Sequence, residues 1–138
     1  MTRPRPLALS PSRAVDYQQC PLLYRFRSID RRPEPKTVAQ VKGTLVHAVL
    51  EEMHKLPRQD RLYPAAVKRL KPNWTTMCQA DPELTDLVSD ADLYDFLVEC
   101  RALLRGYFEM ENPQGFDAHE CEMYVDTVLP NGVPAVSY

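Results

Sequence analysis

Leu93, Phe96, Leu97, Cys100, Leu103, Leu104, Tyr107 and Phe108 recur at intervals of three and four. That spacing lines one face of an α-helix. It predicts a helix from Asp90 to about Met110 that buries one side, closed by Asn112-Pro113-Gln114-Gly115. Val41, Leu45, Val49 and Met53 repeat the pattern, with Leu50 widening the stripe. They predict a second long helix from about Val38 to Leu56, stopped by Pro57. Two such stripes need each other, or something similar, as cover. The chain is therefore expected to be built mainly of packed helices.

Prolines and turn residues mark the remaining elements. Ser10 is suited to cap a helix and Pro11 to begin it, so a first helix is expected to run to about Cys20, where Pro21 falls. Leu22, Leu23, Tyr24 and Phe26 are apolar enough to pack the following element down, and Arg31–Lys36, with Pro33 and Pro35, reads as a loop. A short helix is expected over Tyr63–Leu70, led by Pro64, and Pro72-Asn73-Trp74 as a loop with its Trp turned inward. Asp81-Pro82-Glu83 is another helix start. From Glu120 to Leu129 the residues are β-favouring and partly alternating, and Pro130-Asn131-Gly132 reads as a hairpin turn before a stub of a second strand. The expected fold class is α+β: a mostly helical N-terminal portion, then a first strand or hairpin. Residues 1–8 are rich in Pro and Arg and read as a disordered tail, leaving 9–138 as the folded part.

The chain of 138 residues has 44% hydrophobic and 26% charged residues, which fits one globular domain. The net charge of −2 does not advertise nucleic-acid binding, but the charges are uneven. Arg3, Arg5, Arg13, Arg25, Arg27, Arg31, Arg32, Lys36 and Lys42 crowd the first third, against Asp16, Asp30 and Glu34. Such a face suits a phosphate backbone, and equally a solvated surface. No run approaches the roughly 18 apolar residues of a membrane span, and no signal-peptide core follows the basic start. A cytoplasmic protein with no membrane partner is expected. Cys20, Cys78, Cys100 and Cys121 are widely spread, which suggests free thiols, with Cys100 in a buried stripe.

The segment with chemistry in it is Gly43-Thr44-Leu45-Val46-His47-Ala48-Val49-Leu50-Glu51. In a helix, His47 and Glu51 leave the same face one turn apart. An imidazole and a carboxylate at that spacing are also common on solvated helices. Upstream stands Leu9-Ser10-Pro11-Ser12-Arg13-Ala14-Val15-Asp16-Tyr17-Gln18-Gln19-Cys20-Pro21-Leu22-Leu23-Tyr24-Arg25-Phe26.

In that order and at that separation, the two segments resemble the start of a RecB-family exonuclease domain of the PD-(D/E)XK nuclease superfamily. There a Ser-led helix runs into Cys-Pro-x-x-(Tyr/Phe), and a Gly-x-x-x-His-x-x-x-Glu helix follows. The resemblance is good over residues 9–56 and loose beyond. It implies a restriction-endonuclease-like domain that hydrolyses DNA with Mg²⁺ or Mn²⁺ in repair or recombination. It makes His47 the catalytic and metal-site histidine, with Glu51 one turn away as a metal-site partner or simply a helix-surface acid. It makes Arg13, Arg25 and Arg27 candidates for DNA contact. In iron–sulfur members the Cys-Pro cysteine joins three clustered cysteines to hold a 4Fe–4S cluster; Cys20 matches that first position, and Cys78, Cys100 and Cys121 lack the clustered spacing.

The superfamily's Asp and Asp-x-Lys motifs are not found after the hairpin, and no Lys follows Lys71. The resemblance is thus to a domain cut short before its main catalytic motifs. The expectation is an inactive chain with no tightly bound metal or cluster, and with an open strand edge through which it self-associates. Two other readings stay open: a non-catalytic helical module that binds DNA or protein, and a helix-borne metal site using His47, Glu51 and His54, the last in a solvated-looking setting.

Overall fold

The computed structural model describes residues 8–137. Apart from Ala8, the tail expected at 1–8 lies outside them. The elements in order are α1 (Pro11–Gln19), α2 (Pro21–Tyr24) running into a π-helical turn (Arg25–Ile29), α3 (Val38–His54), a 3-10 turn (Arg58–Asp60), α4 (Tyr63–Ala80), α5 (Glu83–Leu87), α6 (Leu93–Met110), β1 (Val125–Val128) and β2 (Pro134–Ser137). The α+β expectation holds. These elements divide into two compact units, residues 36–121 and residues 8–35 with 122–137.

The larger unit is a helical core. Val41, Leu45, Val49 and Met53 of α3 are buried together with Ala66, Leu70 and Trp74 of α4, Leu84 and Val88, and Phe96, Cys100 and Leu104 of α6. This is the face the apolar spacing selects. Leu103 is the exception: it is half exposed, on the flank of the stripe beside Phe96. A capping box opens α3, with the Thr37 hydroxyl accepting from the Gln40 amide at 3.2 Å and the Gln40 side chain accepting from the Thr37 amide at 2.9 Å. Two otherwise orphaned donors are thereby satisfied. The helix ends at His54, two residues before the expected stop.

Pro72-Asn73-Trp74 is not a loop. Pro72 lies inside α4, which runs on to Ala80. Proline there removes one helical hydrogen bond, but burial of Leu70 on one side and Trp74 on the other holds the chain helical across it. The Trp74 ring packs 5.0 Å from that of Phe96, so its inward orientation is as expected. After α4, the Asp81 carboxylate accepts from the Glu83 amide and starts α5.

In the smaller unit Ser10 caps α1, accepting from the Arg13 amide, and Cys20 separates α1 from α2. Leu22 is exposed, contrary to expectation, while Leu23 and Tyr24 are partly buried. The π-turn ends with Arg31 in the left-handed region (φ 47°) and the Arg32 amide bonded back to the Phe26 carbonyl. β1 and β2 pair antiparallel, Val125 opposite Ser137 and Val128 opposite Pro134. Their turn has Pro130 and Asn131 at its centre and Gly132 at φ 80°, where only glycine is unstrained. Leu9 adds a single parallel bridge at Ala135. The strand is shorter than Glu120–Leu129: Glu122 has φ 55°, which breaks extended backbone before Val125. Its expected alternation is also absent, since all four residues of β1 are exposed.

Candidate functional site

The stripe Gly43–His47–Glu51 lies on the side of α3 away from the core. Its neighbours Leu45, Val49 and Met53 are fully buried, whereas His47 is exposed. The backbone that carries the imidazole is therefore fixed by a capped, well-packed helix. Gly43 precedes it by one turn. A methyl group at Gly43 would meet nothing within 4 Å, so no packing contact requires glycine there. Glycine inside a helix costs about 0.5–1 kcal/mol relative to alanine, and here it leaves bare backbone beside His47. Glu51 is half-buried and bonded to Lys55 at 2.7 Å, one turn further on.

His54, on the same stripe, is partly buried rather than solvated. Its Nε2 lies 2.7 Å from the Tyr107 hydroxyl, its ring packs against Phe116 at 5.6 Å, and its Nδ1 is buried with no hydrogen-bond partner. Residues far along the chain cover it, which local context could not reveal. Burial, and then the nearby Arg61 guanidinium, lower its pKa below the usual histidine value. The unfolded chain therefore binds a proton more readily than the folded one. The contribution of His54 to stability is complete above about pH 6.5, the unfolded value, and is lost as pH drops through and below it. Urea unfolding at pH 7.5 and 5.5 should show that loss, and His54→Phe should reduce it. A wild-type protein equally stable at both pH values would contradict the assignment.

The three groups His47, Glu51 and His54 thus do not converge. Among the described residues no group of three or more His, Cys, Asp or Glu is placed to hold a metal ion. Cys20 is exposed, at the α1–α2 junction. Cys100 is fully buried on α6, its thiol pushed up to about 11 by burial, and Cys78 is also raised by burial. A cluster needs several accessible thiolates together, and these thiols do not fit one. A Glu-x-Lys triplet does occur, Glu34-Pro35-Lys36, which the sequence reading passed over. Its charges are engaged elsewhere, Glu34 with Arg27 and Lys36 with Asp81, and a central proline does not suit a sheet interior.

The candidate DNA contacts differ in their freedom. Arg27 donates to Asp16 at 2.7 Å and to Glu34 at 2.7 Å, and those hydrogen bonds raise its pKa further. It ties α1 to the π-turn and the loop after it. Arg25 pairs loosely with Asp30 at 3.4 Å and stays largely exposed. Arg13 donates to the Ala8 carbonyl. The apolar cleft of this unit, about 280 Å³ between the start of α1 and the β1–β2 hairpin, is lined by Leu9, Pro11, Ala14 and Val125 among others, with no charged side chain.

Residues 8–128 match the PD-(D/E)XK nuclease superfamily, and the chain belongs to it. No curated protein and no solved structure matches the chain. The superfamily's chemistry is nucleic-acid phosphodiester hydrolysis, typically with Mg²⁺ or Mn²⁺, hard ions that take carboxylate oxygens. The residues described do not fit a complete site for such an ion: one exposed imidazole and one carboxylate already bonded to a lysine are too few ligands. No described helix is long and apolar enough to cross a membrane.

Proposed function

We propose that this chain carries the helical part of a RecB-like, metal-dependent DNA exonuclease domain acting in repair or recombination in the cytoplasm. Residues 9–138 lack an Asp-x-Lys motif after the hairpin, with no Lys beyond Lys71, and on this reading do not cleave DNA unaided. The observation that carries this reading is the outward stripe of α3, where Gly43 leaves open space one turn before the exposed His47. A glycine with no packing role one turn from an exposed imidazole suits the approach of a phosphate and its metal ion. His47 supplies one ligand, Glu51 orients nearby once released from Lys55, and Arg13 and Arg25 contact DNA. Arg27 holds the π-turn that carries Arg25. The edge of β1 not paired with β2 offers a strand-pairing surface to a second copy, which sedimentation over a wide concentration range reads.

A metal titration tests the role of His47. One imidazole with at most one carboxylate holds Mn²⁺ weakly, since water keeps most of the coordination sphere. Added Mn²⁺ should broaden the His47 imidazole NMR signals before those of His54, only at high metal concentration, with no saturable heat in calorimetry. Tight binding, or broadening that spares His47, would contradict the proposal. The reading as a non-catalytic DNA- or protein-binding module is favoured by one observation, the closed core of residues 36–121 without a metal-ligand group.

A further inference from the structure

Tyr94, Val98, Arg101 and Arg105 follow one another at four, three and four residues along α6 and so share a face. All four are exposed, Tyr94 by 75% and Val98 by 41%. They form one wall of an open groove of about 520 Å³, with Tyr63 of α4 on the other side. Most cations of this unit are neutralised: Lys36, Lys42, Lys55, Arg58, Arg61 and Arg69 each have a carboxylate partner. Arg101 and Arg105 have none among the described residues. Arg105 is held over the Tyr63 ring at 5.7 Å, and the Tyr63 hydroxyl donates to the Arg101 carbonyl at 3.3 Å. The one acid lining the groove, Glu109, lies at its far end, a turn beyond Arg105. Asp95 is next to Tyr94 in sequence but points about 100° round the helix.

We propose that this groove binds single-stranded nucleic acid, with a base stacked on Tyr94 over Val98 and two phosphates held by Arg101 and Arg105. Charge complementarity selects the occupant: two uncompensated guanidinium groups one turn apart call for a repeating anion. The exposed phenol selects among anions, because an aromatic face stacks on any base that is not already stacked in a duplex. From Tyr94 to Arg105 the face spans about 16 Å, so the site covers only a few nucleotides. This surface is separate from the His47 stripe and does not rest on the nuclease reading.

The test uses the full chain and a fluorescent oligothymidylate in EDTA, so that binding is read without cleavage. Tyr94→Ala should weaken binding about tenfold or more, and Tyr94→Phe should restore it. Arg101→Gln and Arg105→Gln should each lower the slope of log affinity against log salt by about 0.7, one phosphate contact apiece. Duplex DNA of the same length should bind more weakly and be insensitive to Tyr94→Ala. These side chains are exposed, so Trp74 fluorescence and far-UV CD should confirm unchanged folding. Absence of oligothymidylate binding, or binding indifferent to the three positions, would overturn the proposal. So would a polyglutamate peptide that binds as well with the same losses, which would make this an acidic-peptide groove. Failure here would leave the metal titration at His47 unaffected.

Discussion

Replacing Arg61 by methionine is expected to cost about 2–4 kcal/mol and to lower the melting temperature by roughly 10 °C. Arg61 is a charged residue that is only 6% exposed. Its Nε donates to the Leu56 carbonyl at 2.9 Å, Nη1 to the carbonyls of Pro113 and Phe116 at 3.2 and 2.7 Å, and Nη2 to Asp117 at 2.9 Å. One guanidinium thus closes the segment after α3 and pins the segment after α6. Methionine keeps the aliphatic stem but leaves three carbonyls without their donor. Arg61→Lys should recover little, because one ammonium cannot reproduce the planar fork. Thermal unfolding followed by Trp74 fluorescence checks this, since Trp74 is the only tryptophan and lies in the same unit. A methionine variant as stable as the parent would show that the carbonyls find other donors.

The second large effect is expected at Trp74 itself. Trp74→Ala removes a ring that is 6% exposed and packed on Phe96, and such a truncation costs about 3–5 kcal/mol. The loss should also be local. Beyond Pro72, burial of Trp74 is what keeps α4 helical, so amide exchange over residues 75–80 should accelerate more than exchange in α3. Urea unfolding by far-UV CD gives the first quantity and hydrogen exchange the second. Uniform acceleration throughout the unit would contradict the role given to Trp74 in carrying the helix past proline.

How much of this could be read from the sequence follows from the range of the interactions. The buried stripes of α3 and α6 are local repeats, and the spacing of Val41, Leu45, Val49 and Met53 located them directly. Thr37-x-x-Gln40 is also a local signal, a capping box that marks the start of α3 within one residue. Pro72 misled, because proline is a local breaker whereas the contact of Trp74 with Phe96 that overrides it spans 22 residues. The engagement of His54 with Tyr107, and of Arg61 with the loop after α6, is likewise invisible to periodicity. At the candidate site, the helical spacing put His47 and Glu51 on one face of α3, but it did not show that Glu51 is engaged by Lys55. The pairing of Arg27 with Asp16 and Glu34 did not follow, because it depends on how the π-turn folds back towards α1.

On the proposed reading, this nuclease-superfamily chain presents His47 on α3 without the acidic and lysine groups that would complete a cleaving site. Incubation of the purified chain with end-labelled linear DNA in Mn²⁺ or Mg²⁺ tests it directly. No metal-dependent release of nucleotides is expected, either from the parent chain or from His47→Ala. Metal-dependent cleavage by the parent chain that disappears in His47→Ala would contradict it, and would mean that these 138 residues hold a complete catalytic site.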